Sequence, residues 1–305
     1  MVPSRTGSSL PLVPAAAFVL VWSSGYISGP AAVHAAAPFT ALGWRFVIAA
    51  VLAAGLAVVL RRPTRMDRTT LRRVALVGVV MNAVQFGLMY VGFDLGLGAT
   101  LASLFHALSP VLTVLLAAAL LGERVSPVQV VGFVAGVVGV LLVLGADLDH
   151  AGGPVAVLVG GLSMLTLSLG TLGQRWIGAR PDLLWSAALQ FAVSAPPLLV
   201  LGRLTEGAWP VTDTPQAVVS VLFLAVVNSI VGLVLLALLV LRGGSGAAAS
   251  LFFLSPPVTA VLAWLVLDET LTVTQLVGLV VAVAGVGAAT RSQAAPALLQ
   301  DVGTQ

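Results

Sequence analysis

Two side chains in this sequence could carry charge within stretches that are otherwise apolar. His106 has a reference pKa near 6.5, so an imidazole there could take up and release a proton near neutral pH. Arg45 is a fixed cation about seven residues inside an apolar run, roughly 10 Å deep at helical rise. A charge at that depth points to a partner or a passing ligand; the alternative is an anchor whose head snorkels to the interface. Three amides, Asn82, Gln85 and Asn228, also fall in apolar runs, where each needs a hydrogen-bonding partner. Interhelical bonding and contact with a bound solute both satisfy that need. Hydrolysis is not in this repertoire. No paired carboxylates or Ser–His set lies at depth, Asp94 sits near a helix end, and no phosphate-cradling Gly-Lys motif exists. With no cysteine there is no thiolate metal site, and no enzyme, cofactor or metal is expected.

The elements that position these groups follow from composition. Of 305 residues, 59% are hydrophobic and 8% charged, with mean hydropathy +1.10. A soluble fold carries about a quarter charged residues and needs them to solvate its surface. Lipid is therefore the solvent, and the lipid bilayer a partner. Only helices meet its demand that backbone groups be satisfied within the segment. At roughly 20 residues per crossing, ten spans are expected, at 11–33, 38–60, 71–93, 98–121, 127–145, 153–174, 183–202, 216–241, 246–267 and 273–290. The first run exceeds a signal peptide's apolar core of about 7–15 residues, so it is read as a retained span despite the cleavage-like Ala35-Ala36-Ala37.

All fourteen basic residues are Arg. With the N-terminus inside, twelve of them fall on the cytoplasmic side: Arg5, the cluster from Arg61 to Arg73, Arg124, Arg175, Arg180, Arg242 and Arg291. Arg203 lies outside, as do Asp147, Asp149, Glu206, Asp213, Asp268 and Glu269. This is the positive-inside pattern, and it accounts for the high pI near 10.5 without nucleic acid as a partner. The absence of Lys and the Ala/Val/Gly/Leu richness suggest a GC-rich bacterial genome, hence a bacterial inner membrane with both termini cytoplasmic and a tail at 291–305.

The chain repeats itself. Ser109 to Gly132 aligns with Ser255 to Gly278 at an offset of 146, and Asn82 matches Asn228 at the same offset. ASLF at 102–105 recurs as ASLF at 249–252, one residue out of phase, so Phe253 stands where the repeat would place His106 and the fold itself does not require the imidazole. Five spans per half is an odd number, so the second half is expected upside down relative to the first. Inverted repeats recur in secondary transporters, with a midplane site between halves. Polar, Gly-interrupted stretches at matching places are the usual pointer to such a site: Trp22, Ser24 and Tyr26 in span 1, and Ser163, Thr166 and Ser168 in span 6. Their hydroxyls could instead bond back to their own helices. Substrate contacts are thus expected from Trp22, Ser24, Tyr26 and Ser163 together with Asn82, Gln85, His106 and Asn228. His106 is the candidate for proton coupling, with Asp94 as a partner exposed in one conformation.

Ser126-Pro127-Val128-Gln129 and Thr272-Val273-Thr274-Gln275 have capping-box spacing and mark the starts of spans 5 and 10. Glu123 and Glu269 just precede them, either as gates or as carboxylates serving the incoming helix. Gly132, Gly136 and Gly139 recur as Gly278, Ala282 and Gly285, a small-residue stripe that suits either a homodimer interface or internal packing.

Arg45-Phe46, then Pro110 with Leu121-Gly122-Glu123 and Gly132, echoed by Pro256 with Leu267-Asp268-Glu269 and Gly278, resemble the EamA-type members of the drug/metabolite transporter superfamily. Asp268 replaces the Gly expected there. The resemblance covers about 12–290 and implies a ten-span carrier of two five-helix domains, 11–145 and 153–290. Such carriers commonly export amino acids or related small-molecule substrates, coupled to protons. A drug or other metabolite carrier of the same fold, and a membrane receptor or scaffold that transports nothing, are the other readings. Reporter fusions at Asp149 and Arg180 are expected to report opposite sides, outer and cytoplasmic; the same side for both would exclude ten spans.

Overall fold

The structure, a computed structural model, describes residues 11–145, 151–178, 181–207 and 210–300, with backbone only for 243–250 and 290–300. Arg5, Asp147, Asp149 and Arg180, which bear on orientation, lie outside the described residues, as do the side chain of Arg291 and the end of the tail. The described residues are mostly helical: α1 (Leu12–Ala35), α2 (Pro38–Val59), α3 (Arg68–Gly78), α4 (Gln85–Asp94), α5 (Ala99–Leu121), α6 (Pro127–Leu144), α7 (Gly153–Ile177), α8 (Leu183–Thr205), α9 (Thr214–Phe223), α10 (Gly232–Ser250), α11 (Ser255–Leu267) and α12 (Val273–Gln300). Among the described residues eight helices are long and apolar enough to cross a membrane, and Leu251–Leu267 and Val273–Ala289 are shorter apolar helices. Leu and Val side chains such as Val131, Leu201 and Leu265 cover their outward faces.

Local chemistry sets the boundaries. Both capping boxes form: Ser126 Oγ accepts from Gln129 N while Gln129 returns to Ser126 N, and Thr272 and Gln275 do the same. Helix α5 ends on Gly122 in the left-handed conformation, φ 69°. Its counterpart after α11 is Asp268, held at φ 53° without the freedom of glycine. The stretch expected as span 9, 246–267, is divided: α10 runs to Ser250, a 3-10 turn covers Leu251–Leu254, and α-helix resumes at Ser255. Pro256 and Pro257 follow there, in the first turn, where a missing N–H costs nothing. Helix α12 continues to Gln300, so the residues expected as a tail begin as helix.

Corresponding helices pack on each other across the halves. Where α6 meets α12, a Cβ on Gly132 would lie 2.5 Å from Gly285 O, and one on Gly139 would lie 2.5 Å from Gly278 O. The rising number meets the falling one, so the two run antiparallel, and the small-residue stripe serves internal packing. Helices α2 and α8 are likewise antiparallel. Glu206 after α8 accepts from Thr40 N at 2.9 Å at the start of α2, while Arg62 after α2 reaches Asp182 before α8 at 2.7 Å. Ser109 of α5 bonds Ser168 of α7 at 3.0 Å, and Ser255 of α11 bonds Ser23 of α1 at 3.1 Å. These hydroxyls are fully or almost fully buried between helices.

Glu269 departs from expectation. It accepts from Thr100 Oγ1 at 3.3 Å, serving the start of α5 in the other half rather than α12. Burial pushes its carboxyl above the usual carboxylate range, and hydrogen bonds from Thr100 and Ala99 pull the other way. Glu123 pairs with Arg175 at 2.9 Å. One end of the bundle therefore carries Arg62, Arg73 and Arg175 with their partners. The other is tied by Glu206 and Glu269.

The left-handed Asp268 yields a prediction. Asp268→Gly should raise stability by about 0.5–1 kcal/mol through relief of backbone strain. A higher melting temperature of the detergent-purified protein would show it; a lower one would mean that the carboxylate does more for the fold than the strain costs.

Candidate functional site

The two longest composite spans are not regular. Between α3 and α4 the helix widens into a π-helical turn, Val79–Val84, closed by Gln85 N–H to Val80 O. Between α9 and α10 the same happens at Leu224–Val231, closed by Gly232 N–H to Val227 O. Each wide turn carries one of the matched asparagines, Asn82 or Asn228. Such turns inside helices are frequent at functional sites. The sequence pointed to interruptions in spans 1 and 6 instead, yet α1 and α7 are continuous.

The wide turns face a cavity of about 550 Å³ bounded by both halves. Of the expected contacts, Trp22, Tyr26, Asn82, Gln85, His106 and Asn228 line it. Ser24 and Ser163 do not. Ser24 bonds back to Val21 O at 2.7 Å, as hydroxyls on helices often do. Ser163 is fully buried behind the wall, where it donates to Gln85 O and receives from Gln85 Nε2, both at 3.0 Å. Ser168 is spent on Ser109.

One wall is a hydrogen-bonded chain. Tyr26 Oη lies 2.9 Å from His106 Nδ1, and Gln85 Nε2 lies 2.9 Å from His106 Nε2. With the amide donating to Nε2, the ring proton sits on Nδ1 and is donated to Tyr26. Gln85 Oε1 is buried with no partner. Asp94 is exposed at the end of α4 and makes no bond to His106. On the other half, Asn228 Nδ2 donates to Val21 O at 2.5 Å. This needs Gly25, where a Cβ would come within 2.8 Å of that nitrogen. Asn228 Oδ1 is buried and unpartnered, and Asn82 lines the cavity with no interhelical bond to the described residues.

Arg45 does not snorkel. It is 6% exposed and lines the cavity. Nε donates to Ser229 Oγ at 3.3 Å and Nη1 to Tyr90 Oη at 3.1 Å. The guanidinium lies 4.8 Å over the Phe86 ring. Tyr90 and Ser229 escaped the sequence reading; the available signal was a phenol on the helix that carries Gln85 and a hydroxyl beside Asn228. The cavity also reaches Gln174, Ile177, Pro181 and Leu183. These lie at the arginine-bearing end, so access is from that end while the opposite end is tied shut.

The EamA-like transporter family matches residues 11–145 and again 154–291. The chain is 28% identical to the "Uncharacterized transporter YvbV" of Bacillus subtilis, over 88% of this chain and 87% of that one. It is 28% identical to the "Probable amino-acid metabolite efflux pump" of Salmonella typhimurium, over 88% of this chain and 90% of that one. A solved structure described only as "Crystal structure of protein" shares the fold with TM-score 0.66 and 20% identity, covering 94% of this chain and 97% of its own. Matched over both halves, the chain belongs to the EamA-like transporter family.

Proposed function

We propose that this transporter is a ten-span secondary carrier of two inverted five-helix halves, exporting amino acids or related small metabolites by alternating access. The observation that carries the reading is the cavity at the junction of the halves, where both wide turns present an asparagine. The antiparallel packing of α2 on α8 and of α6 on α12 supports inversion, and the efflux name of a relative supports the direction. With the arginine-bearing end cytoplasmic, as positive charge prefers, the cavity is an inward-facing state in a bacterial inner membrane, with both termini cytoplasmic. The protein solves the polar requirement of a solute site within lipid by lining the cavity with neutral amides and aromatic hydroxyls.

His106 is the proton carrier in this reading. A second proton on Nε2 would meet the donating face of the Gln85 amide. Rotation of that amide brings the unpartnered Oε1 to accept it. The substrate contacts are Trp22, Tyr26, Asn82, Gln85, His106 and Asn228, with Ser24 and Ser163 holding the helices behind them.

Cells overexpressing the chain should tolerate toxic amino-acid analogues better and release labelled amino acid faster. Asn82→Ala or Asn228→Ala should cut that efflux at least about tenfold, the scale of one lost hydrogen bond to a charged group, at unchanged membrane insertion. A receptor or scaffold would give no efflux across the panel. In proteoliposomes His106→Gln should flatten the pH dependence of transport. Full retention of the pH profile would remove His106 from the coupling step.

A further inference from the structure

Arg45 is the only formal charge on the cavity wall among the described residues, since no Asp or Glu lines it and His106 is neutral in the bonding pattern above. A guanidinium offers five N–H donors in a rigid fork. Two are used here, both on neutral hydroxyls. No carboxylate of the described residues pairs with it, although it is almost wholly buried at membrane depth. An isolated buried cation is costly, and nothing in the packing requires one. The equivalent region of the second half, Gln190-Phe191, carries a polar residue and no charge. Tyr90 Oη accepts from Arg45, so its own proton is free to donate beside the fork. Phe46 stacks on Phe191 at 5.5 Å, forming an apolar floor next to the charge.

We infer that the obligatory recognition element of the substrate is a carboxylate, docked on the Arg45 fork with Tyr90 at the closed end of the cavity, with an apolar body trailing toward the open end. An α-ammonium is tolerated rather than required. No Asp or Glu of the described residues lines the cavity to supply a counter-charge for it. The carrier should therefore take 2-oxo acids as well as the amino acids from which they derive, and reject amides and amines. This rests on the transport reading above and narrows it.

The test is binding to the purified protein in lipid nanodiscs, by ligand-induced thermal shift and radioligand competition. Two matched series serve, built on leucine and phenylalanine: the amino acid, its 2-oxo acid, its amide and the corresponding decarboxylated amine. The acid and the 2-oxo acid are expected to bind within about tenfold of each other, and the amide and amine not to compete. Arg45→Gln should weaken both acids by about 10- to 100-fold, the scale of a lost charge-assisted pair. Arg45→Lys, keeping the charge without the fork, should fall between. Amide or amine binding as tight as the acid overturns the carboxylate assignment and leaves the transport reading standing. So does 2-oxo acid binding lost while the amino acid binds. A folded protein that binds no member of either series overturns both together.

Discussion

A serine hydroxyl buried in a lipid-embedded bundle has few partners besides backbone and another helix, and this chain meets that constraint with the same bond made twice. Ser109 of α5 joins Ser168 of α7, and Ser255 of α11 joins Ser23 of α1. In each pair one residue comes from either half. Among apolar helices in lipid, hydrophobic burial gives no net preference for one partner over another, so close approach and polar bonds decide the pairing. The glycine faces of α6 and α12 and the carboxylate ties from α8 and α11 follow the same cross-half logic. Each half thus supplies partners for buried groups of the other, and the cavity lies between them.

That cavity is built by exceptions to regular helix. The wide turns put Asn82 and Asn228 on its wall, and the approach of α1 over Gly25 takes up one side of the Asn228 amide. The Tyr26–His106–Gln85 chain braces the opposite wall, with Ser163 as its buttress. Most of these polar groups are thus spent on one another or on backbone, while Gln85 Oε1 and Asn228 Oδ1 are buried without a partner. Arg45 differs from both: two hydroxyls and a ring hold it, and no carboxylate of the described residues pairs with it.

Much of this was legible in the residues. Apolar run lengths marked the spans, the capping boxes at Ser126 and Thr272 marked two starts within a residue, and symmetric placement singled out Asn82 and Asn228. What stayed hidden depended on helix rotation and on neighbours distant in sequence. Nothing in Ser24 or Ser163 tells which face of its helix meets the cavity. Glu269 reads as a cap for the helix that follows it, yet it serves α5, some 170 residues earlier in the chain. A π-turn has no composition of its own, so Val79–Val84 reads as ordinary apolar helix. The Gly expected before Glu269 was, by contrast, a conformational signal: Asp268 occupies the left-handed slot all the same.

The wide turns also set how the two walls stand to each other. They fall at Val79–Val84 in one half and Leu224–Val231 in the other, the same place in each copy once the halves are aligned. One extra residue wound into a helix shifts everything beyond it by about 100° around the axis. A widening in one half alone would rotate one wall of the cavity against the other. Because both halves carry it at the same register, the two walls turn together and Asn82 and Asn228 reach the cavity as a pair.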